Sequence, residues 1–206
     1  MKLTILRIAK AFPKLSLALS IVLFIAVEAI FSACTNHECL GFEDSSFDLW
    51  FPYKSLDSIY FANTSNKMDT IIIGSIYKTE PYQTYKECES TISISSLSSP
   101  TRSKLYIHYS KQKGYNSLSV QLQSTTFNFS AVADNGLTAN KSMNGIIYYT
   151  QSKPSLTLNG KTFADVQTFE IDSTFLGLRD IRKIWLAKNQ GIVAFEKRTN
   201  ELWVKQ

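Results

Sequence analysis

The chain has 206 residues, 44% of them apolar and 19% charged, with a formal charge of +5. That apolar share excludes a disordered chain, and the length suits one domain of ordinary size behind a short leader. The first 33 residues hold four of the 22 basic residues and one of the 17 acidic ones, leaving 18 against 16 with no Lys/Arg run to follow a phosphate backbone, so nucleic-acid binding is not expected.

Lys2, Arg7, Lys10 and Lys14 precede an uncharged apolar run from Leu15 to Val27, and the small residues Ser32 and Ala33 precede Cys34. This is the pattern of a secretory leader over residues 1–33, with Cys34 as the lipid-attachment site. Leu15 to Ala33 is close to the roughly 20 residues of a spanning helix, but Glu28 inside it would be costly in a bilayer and harmless in a discarded leader. The segment also lacks the polar stripe of a helix in a soluble domain.

Residues 34–56 read as a tether and approach to the domain, and 57–206 as the domain itself. Glu43, Asp44 and Asp48 are solvated charge beside the tether, without the Gly-punctuated loop of a calcium site. Phe47, Trp50, Phe51 and Tyr53 crowd this segment, and Trp185 and Trp203 sit in the last strands. These aromatics supply either the core that a large β domain needs or the wall of a ligand cavity; on the second reading Trp50, Phe51, Tyr53, Trp185 and Trp203 are the candidate ligand-binding residues.

With Cys34 lipidated, Cys39 and Cys88 remain, and in an oxidising compartment an even pair predicts a disulfide worth about 4 kcal/mol in the chain-entropy model. These thiols and the two histidines, His37 and His108, lack the short paired spacing of a zinc site, so neither metal nor cofactor is expected.

From Ser58 onward, alternation of apolar and polar residues predicts antiparallel strands. Leu118, Val120 and Leu122 alternate with Ser119 and Gln121, and Phe127 and Phe129 flank Asn128. In the strand around Ile92, Cys88, Ser90, Ile92 and Ile94 share one face, with Glu87, Glu89, Thr91 and Ser93 on the other. Further strands are predicted at Ser58 to Ala62, Thr70 to Lys78, Lys104 to Tyr109, Ile146 to Thr150, Ser155 to Leu158, Phe163 to Ile171, Lys183 to Lys188, Gly191 to Glu196 and Glu201 to Val204. Asn159-Gly160 is a strong type I′ hairpin signal, and Lys113-Gly114, Asn135-Gly136, Asn189 to Gly191 and Arg198 to Asn200 are further turns. Ser173 to Asp180 suggests a short helical turn. The fold class is all-β: one antiparallel domain, barrel-like or a sandwich.

Two fragments imitate catalytic motifs. Gly160-Lys161-Thr162 lacks the first glycine of a P-loop, which would fall at Ser155, and Ser110 to Lys113 lacks the companion elements of penicillin-recognising enzymes. His108 lies on the polar parity of its strand and reads as a surface histidine, so no catalytic residue is assigned.

Phe31-Ser32-Ala33-Cys34 resembles the lipobox of bacterial lipoproteins, with Phe31 where an aliphatic residue is commonest. With Trp50-Phe51-Pro52-Tyr53, Phe61-Ala62-Asn63 and the run from Trp185 to Phe195, the chain resembles the uncharacterised cell-envelope lipoproteins of the Bacteroidota. The resemblance implies a Cys34 carrying diacylglycerol and palmitate-type acyl chains, attachment to a bacterial membrane, most simply the outer membrane, and a β domain facing the periplasm or the outside. It implies no activity. The expected function is non-enzymatic binding of an apolar or carbohydrate ligand or a protein partner, with a periplasmic hydrolase or a structural component of an envelope complex as the alternatives.

Overall fold

The computed structural model describes residues 45–79, 82–84, 87–97, 103–112, 115–133, 136–139, 148–172, 177 and 179–206. The chain divides into Met1–Glu38 and Cys39–Gln206, and every described residue belongs to the second unit. Cys34, His37, Cys39, Glu43 and Asp44 lie outside the described residues. So does most of the helical turn expected from Ser173 to Asp180; of its end, Arg179 and Asp180 are not helical.

A short helix, α1 (Ser45–Trp50), opens the described chain. Phe47, Trp50 and Phe51 stand at i, i+3 and i+4, which places three large rings on one side of a helical turn, and Pro52 ends it by disfavouring helical geometry at the residue before it. All three rings are buried. The approach to the sheet is therefore core: Phe47 stacks on Tyr109 with centroids 5.2 Å apart, and Trp50 Nε1 donates to the Ala133 carbonyl at 3.0 Å.

Thirteen strands follow: β1 (Ser58–Asn63), β2 (Met68–Lys78), β3 (Tyr82–Thr84), β4 (Glu87–Ser96), β5 (Leu105–Gln112), β6 (Tyr115–Leu122), β7 (Thr125–Ala133), β8 (Gly136–Ala139), β9 (Tyr148–Leu158), β10 (Lys161–Ile171), β11 (Ile181–Ala187), β12 (Gly191–Lys197) and β13 (Leu202–Lys205). They form one antiparallel sheet in the order β8-β7-β6-β5-β4-β2-β1-β13-β12-β11-β10-β9, with β3 paired to the start of β4. The all-β expectation holds, and the sheet is a curled half-barrel. Its two arms meet where the Ile181 N–H donates to Thr125 Oγ1 at 2.9 Å and Phe129 meets Phe169 edge-on at 4.8 Å.

The concave side carries the main core, into which every second residue of β1, β2, β4, β5, β6 and β7 points. Trp203, stacked on Phe195 at 6.0 Å, belongs to it as well. Each fully buried Ile, Leu or Phe contributes roughly 1.5–3 kcal/mol, so this alternation is the main force holding the sheet in register. A second cluster joins Phe163, Val166, Trp185, Ala187, Val193, Ala194 and Val204, with Leu156 and Leu158 of the long β9–β10 hairpin packed against it.

The hairpin turn forms as the sequence predicts: Asn159 and Gly160 have φ of 45° and 78°, and Leu158 pairs with Lys161. The lysine and threonine after Gly160 are thus strand residues opposite Leu158 and Thr157. One local expectation is corrected, and two turns form where no turn is expected from the sequence. Ile146 to Thr150 and Ser155 to Leu158 are read as separate strands, yet β9 runs unbroken through Pro154. An edge strand tolerates the missing N–H, and the left-handed Asp165, φ 48°, lies on the paired strand. Gln123-Ser124 makes a two-residue turn, with Gln123 at φ 54°, a left-handed conformation that glutamine adopts less readily than glycine or asparagine. Asn63 to Lys67 closes the β1–β2 turn by side-chain capping: Asn63 Oδ1 accepts from Ser65 N at 3.0 Å and Lys67 N at 2.8 Å.

Candidate binding face

The five aromatics expected to line a ligand cavity do not line one together. Trp50, Phe51 and Trp203 are buried in the main core, Tyr53 packs against it, and Trp185 belongs to the second cluster. Tyr53 is fixed by its hydroxyl, which accepts the Ile192 N–H at 2.7 Å beside Gly191. Burial pushes its ionisation well above the ordinary phenol range, opposed by that hydrogen bond. The core reading of these residues is the one the structure supports.

Cys88 lies in β4 opposite Gln83, and its expected partner Cys39 is outside the described residues, among which no disulfide occurs. Glu89 accepts from Ser110 Oγ at 3.1 Å, so this carboxylate is tied to its own sheet face. Asp48 is exposed on α1. Among the described residues no group of three His, Cys, Asp or Glu side chains is placed to hold a metal, and no helix is long and apolar enough to cross a membrane.

What the strand order does assemble is a polar sheet face on the convex side of β2 and β4 to β7. Cross-strand register aligns Tyr77, Ser93, His108, Ser119 and Asn128 in one row, and Ser75, Ser95, Tyr106, Gln121 and Thr126 in the next. Neither row contains a carboxylate or an ammonium group. The other arm differs: Lys183 bridges Glu170 at 2.7 Å and Arg182 bridges Glu196 at 2.6 Å. The uncharged rows are made of short hydroxyls and amides punctuated by rings, Tyr77 being 64% exposed and Tyr106 41%.

His108 is half-buried in this face, its ring parallel to Tyr106 within 6° and the centroids 6.3 Å apart. Ser93 Oγ lies 3.0 Å from its Nδ1. Ser93 is thus a partner of this ring, which stands half-exposed on the polar face that its strand parity predicts. The pair spans two interior strands, Ser93 on β4 between β2 and β5 and His108 on β5 between β4 and β6, so the backbone N–H groups around it are engaged in the sheet ladder.

Shallow depressions adjoin the sheet, two of them lined by described residues. One, of about 210 Å³, is lined by Ser95, Ser96, Lys104, Leu105, Tyr106, Gln121 and Gln123 at the end of the uncharged rows. The other, of about 270 Å³, lies between β9 and β10, where Trp50, Asp165, Lys153 and Lys188 surround Gln167. There Gln167 is already satisfied, accepting from Leu137 N at 2.7 Å and donating to Ser152 Oγ at 3.1 Å. It ties β8 to the β9–β10 hairpin.

Comparison with known protein families, curated proteins and solved structures finds no significant match to this chain. The resemblance to envelope lipoproteins rests on the residues quoted for it above.

Proposed function

We propose that this chain is a non-catalytic binding protein of the bacterial envelope, tethered through lipid on Cys34, whose working surface is the pair of uncharged rows on the convex face of β2 and β4 to β7. The observation that carries the reading is the contrast between the two sides of these strands. The concave side is filled by Phe47, Trp50, Phe51 and the strand residues beneath them, while the convex side presents exposed rings among hydroxyls and amides. A surface whose central rows carry no charge gains little from long-range steering and recognises by close contact and many weak hydrogen bonds, which suits a partner held near it by a tether.

The test is retention of detergent-purified protein on a detergent-washed envelope fraction. Ser119→Lys/Asn128→Lys places two ammonium groups directly opposite one another in the middle of the face, where both native side chains are partly exposed, and the unfolding midpoint shows whether the fold is kept. The account predicts that the native protein is retained and this variant is not, at an unchanged unfolding midpoint. Equal retention of both would contradict it.

A further inference from the structure

We infer that the depression around Tyr106 is a subsite for a neutral polysaccharide, a step that rests on the binding-face reading and names its ligand class. A sugar ring has two kinds of surface. Its C–H faces are apolar and seek an aromatic ring, and its rim of hydroxyls seeks groups that both donate and accept. Tyr106 supplies the exposed ring, with Ser95 and Gln121 directly opposite it on the neighbouring strands. Serine and glutamine side chains offer donors and acceptors together, which matches a hydroxyl better than a carboxylate or ammonium does.

Charge supports the same class. The two cross-strand rows carry no ionic side chain, and among the described residues lining the depression only Lys104, at its rim, is charged. An anionic polymer would need several cations to repay its desolvation, and an apolar chain would leave the hydroxyls and amides unpaired. A neutral polyhydroxylic ligand meets neither cost.

The polar wall is held in place before any ligand arrives. Gln121 Nε2 donates to the Gln123 carbonyl at 3.2 Å, Gln123 Nε2 donates to Ser103 Oγ at 2.6 Å, and Ser103 Oγ in turn donates to the Asp69 carboxylate. Ser75 and Ser95 hydroxyls bond across β2 and β4 at 2.8 Å. Groups already ordered lose less entropy on binding. At about 210 Å³ the depression is smaller than the roughly 300–1,000 Å³ that encloses a drug-sized ligand, so it holds one part of a longer chain lying across the face toward His108.

The experiment uses full-length protein, expressed with its own leader and purified in detergent, titrated calorimetrically with neutral gluco-, manno-, xylo- and galacto-hexasaccharides and with oligogalacturonate as the anionic control. At least one neutral series is expected to bind in the micromolar to millimolar range, oligogalacturonate more weakly. Tyr106→Ala should weaken that binding about tenfold or more, the loss expected for one stacking ring, and Gln121→Ala should weaken it as well. Both side chains are exposed, and an unchanged unfolding midpoint separates lost contact from lost fold. Absence of binding to all four neutral series, tighter binding of the anionic control, or unchanged affinity in both variants would overturn the inference. Retention on the envelope fraction without saccharide binding would overturn it too, while leaving the binding-face reading intact and pointing to a protein partner.

Discussion

Gly191 and Tyr53 form a contact whose energy can be worked from the structure. Gly191 has φ +73°, a conformation that costs a residue with a Cβ about 1–2 kcal/mol. A Cβ built there would also collide with the Tyr53 hydroxyl, and overpacking of a fixed ring adds about 1–3 kcal/mol. Gly191→Ala should therefore destabilise by roughly 2–5 kcal/mol, lowering the melting temperature by about 5–15 °C in a domain of this size. Tyr53→Phe leaves the Ile192 N–H without its acceptor and should cost about 1–3 kcal/mol by itself. In the double variant the hydroxyl is gone but a Cβ would still meet the ring carbons Cζ at 2.5 Å and Cε1 at 2.8 Å, so most of the Gly191→Ala loss should persist in the Tyr53→Phe background. Urea unfolding of the four proteins, followed by tryptophan fluorescence, measures this cycle. A Gly191→Ala protein as stable as the native one, or a Gly191→Ala loss that disappears in the Tyr53→Phe background, would refute the packing account. The same tyrosine sets an alkaline limit. Its folded-state ionisation lies above the unfolded value, so the folded protein holds its proton longer, and stability should fall as pH rises above about 10 in a way that Tyr53→Phe abolishes.

Other parts of the fold make separate predictions. The Glu201 carboxyl is held below its ordinary range, chiefly by the hydrogen bond from Asn63, so the stability this bond gives is present above about pH 4.3 and lost as pH falls through the lowered value. Asn63→Ala should accordingly cost less at pH 3 than at pH 7 in urea titrations, although loss of its turn-capping bonds persists at both. Gln167→Ala should cost about 1–3 kcal/mol by leaving the Leu137 N–H without a partner, and hydrogen exchange should show that amide opening faster. Mass spectrometry of the exported protein should find Cys34 diacylated at the new N-terminus and Cys39 linked to Cys88; an unmodified Cys34 would remove the tether.

Much of this fold is legible in the sequence because period-two alternation is a direct record of burial. Ile71 and Ile73, Ile92 and Ile94, and Leu118, Val120 and Leu122 all face the core that their spacing predicts. Asn159-Gly160 is equally direct, since few other pairs adopt two positive φ values at low cost. The helix at Ser45–Trp50 escapes a sequence reading because six residues give one i, i+3, i+4 set, which in an aromatic-rich approach reads equally as cavity wall. Pro154 suggests a break because its tolerance depends on β9 being an edge, which is a property of the whole sheet. The binding face has the same character. Ser93, His108, Ser119 and Gln121 are each legible as outward residues of their own strands, but the rows they form depend on strand order and register. Attention goes instead to tryptophans, whose size makes them core.

The most direct measurement of the central claim is site-specific photocrosslinking in intact cells, with a diazirine side chain at Ser119 in the middle of the uncharged face and, as control, at Thr157 on the β9–β10 hairpin. The account predicts crosslinked product from position 119, reduced when Ser93→Glu is introduced two strands away in the same row, and little from position 157. Equal yields at the two positions, or a yield at 119 indifferent to the added charge, would contradict it.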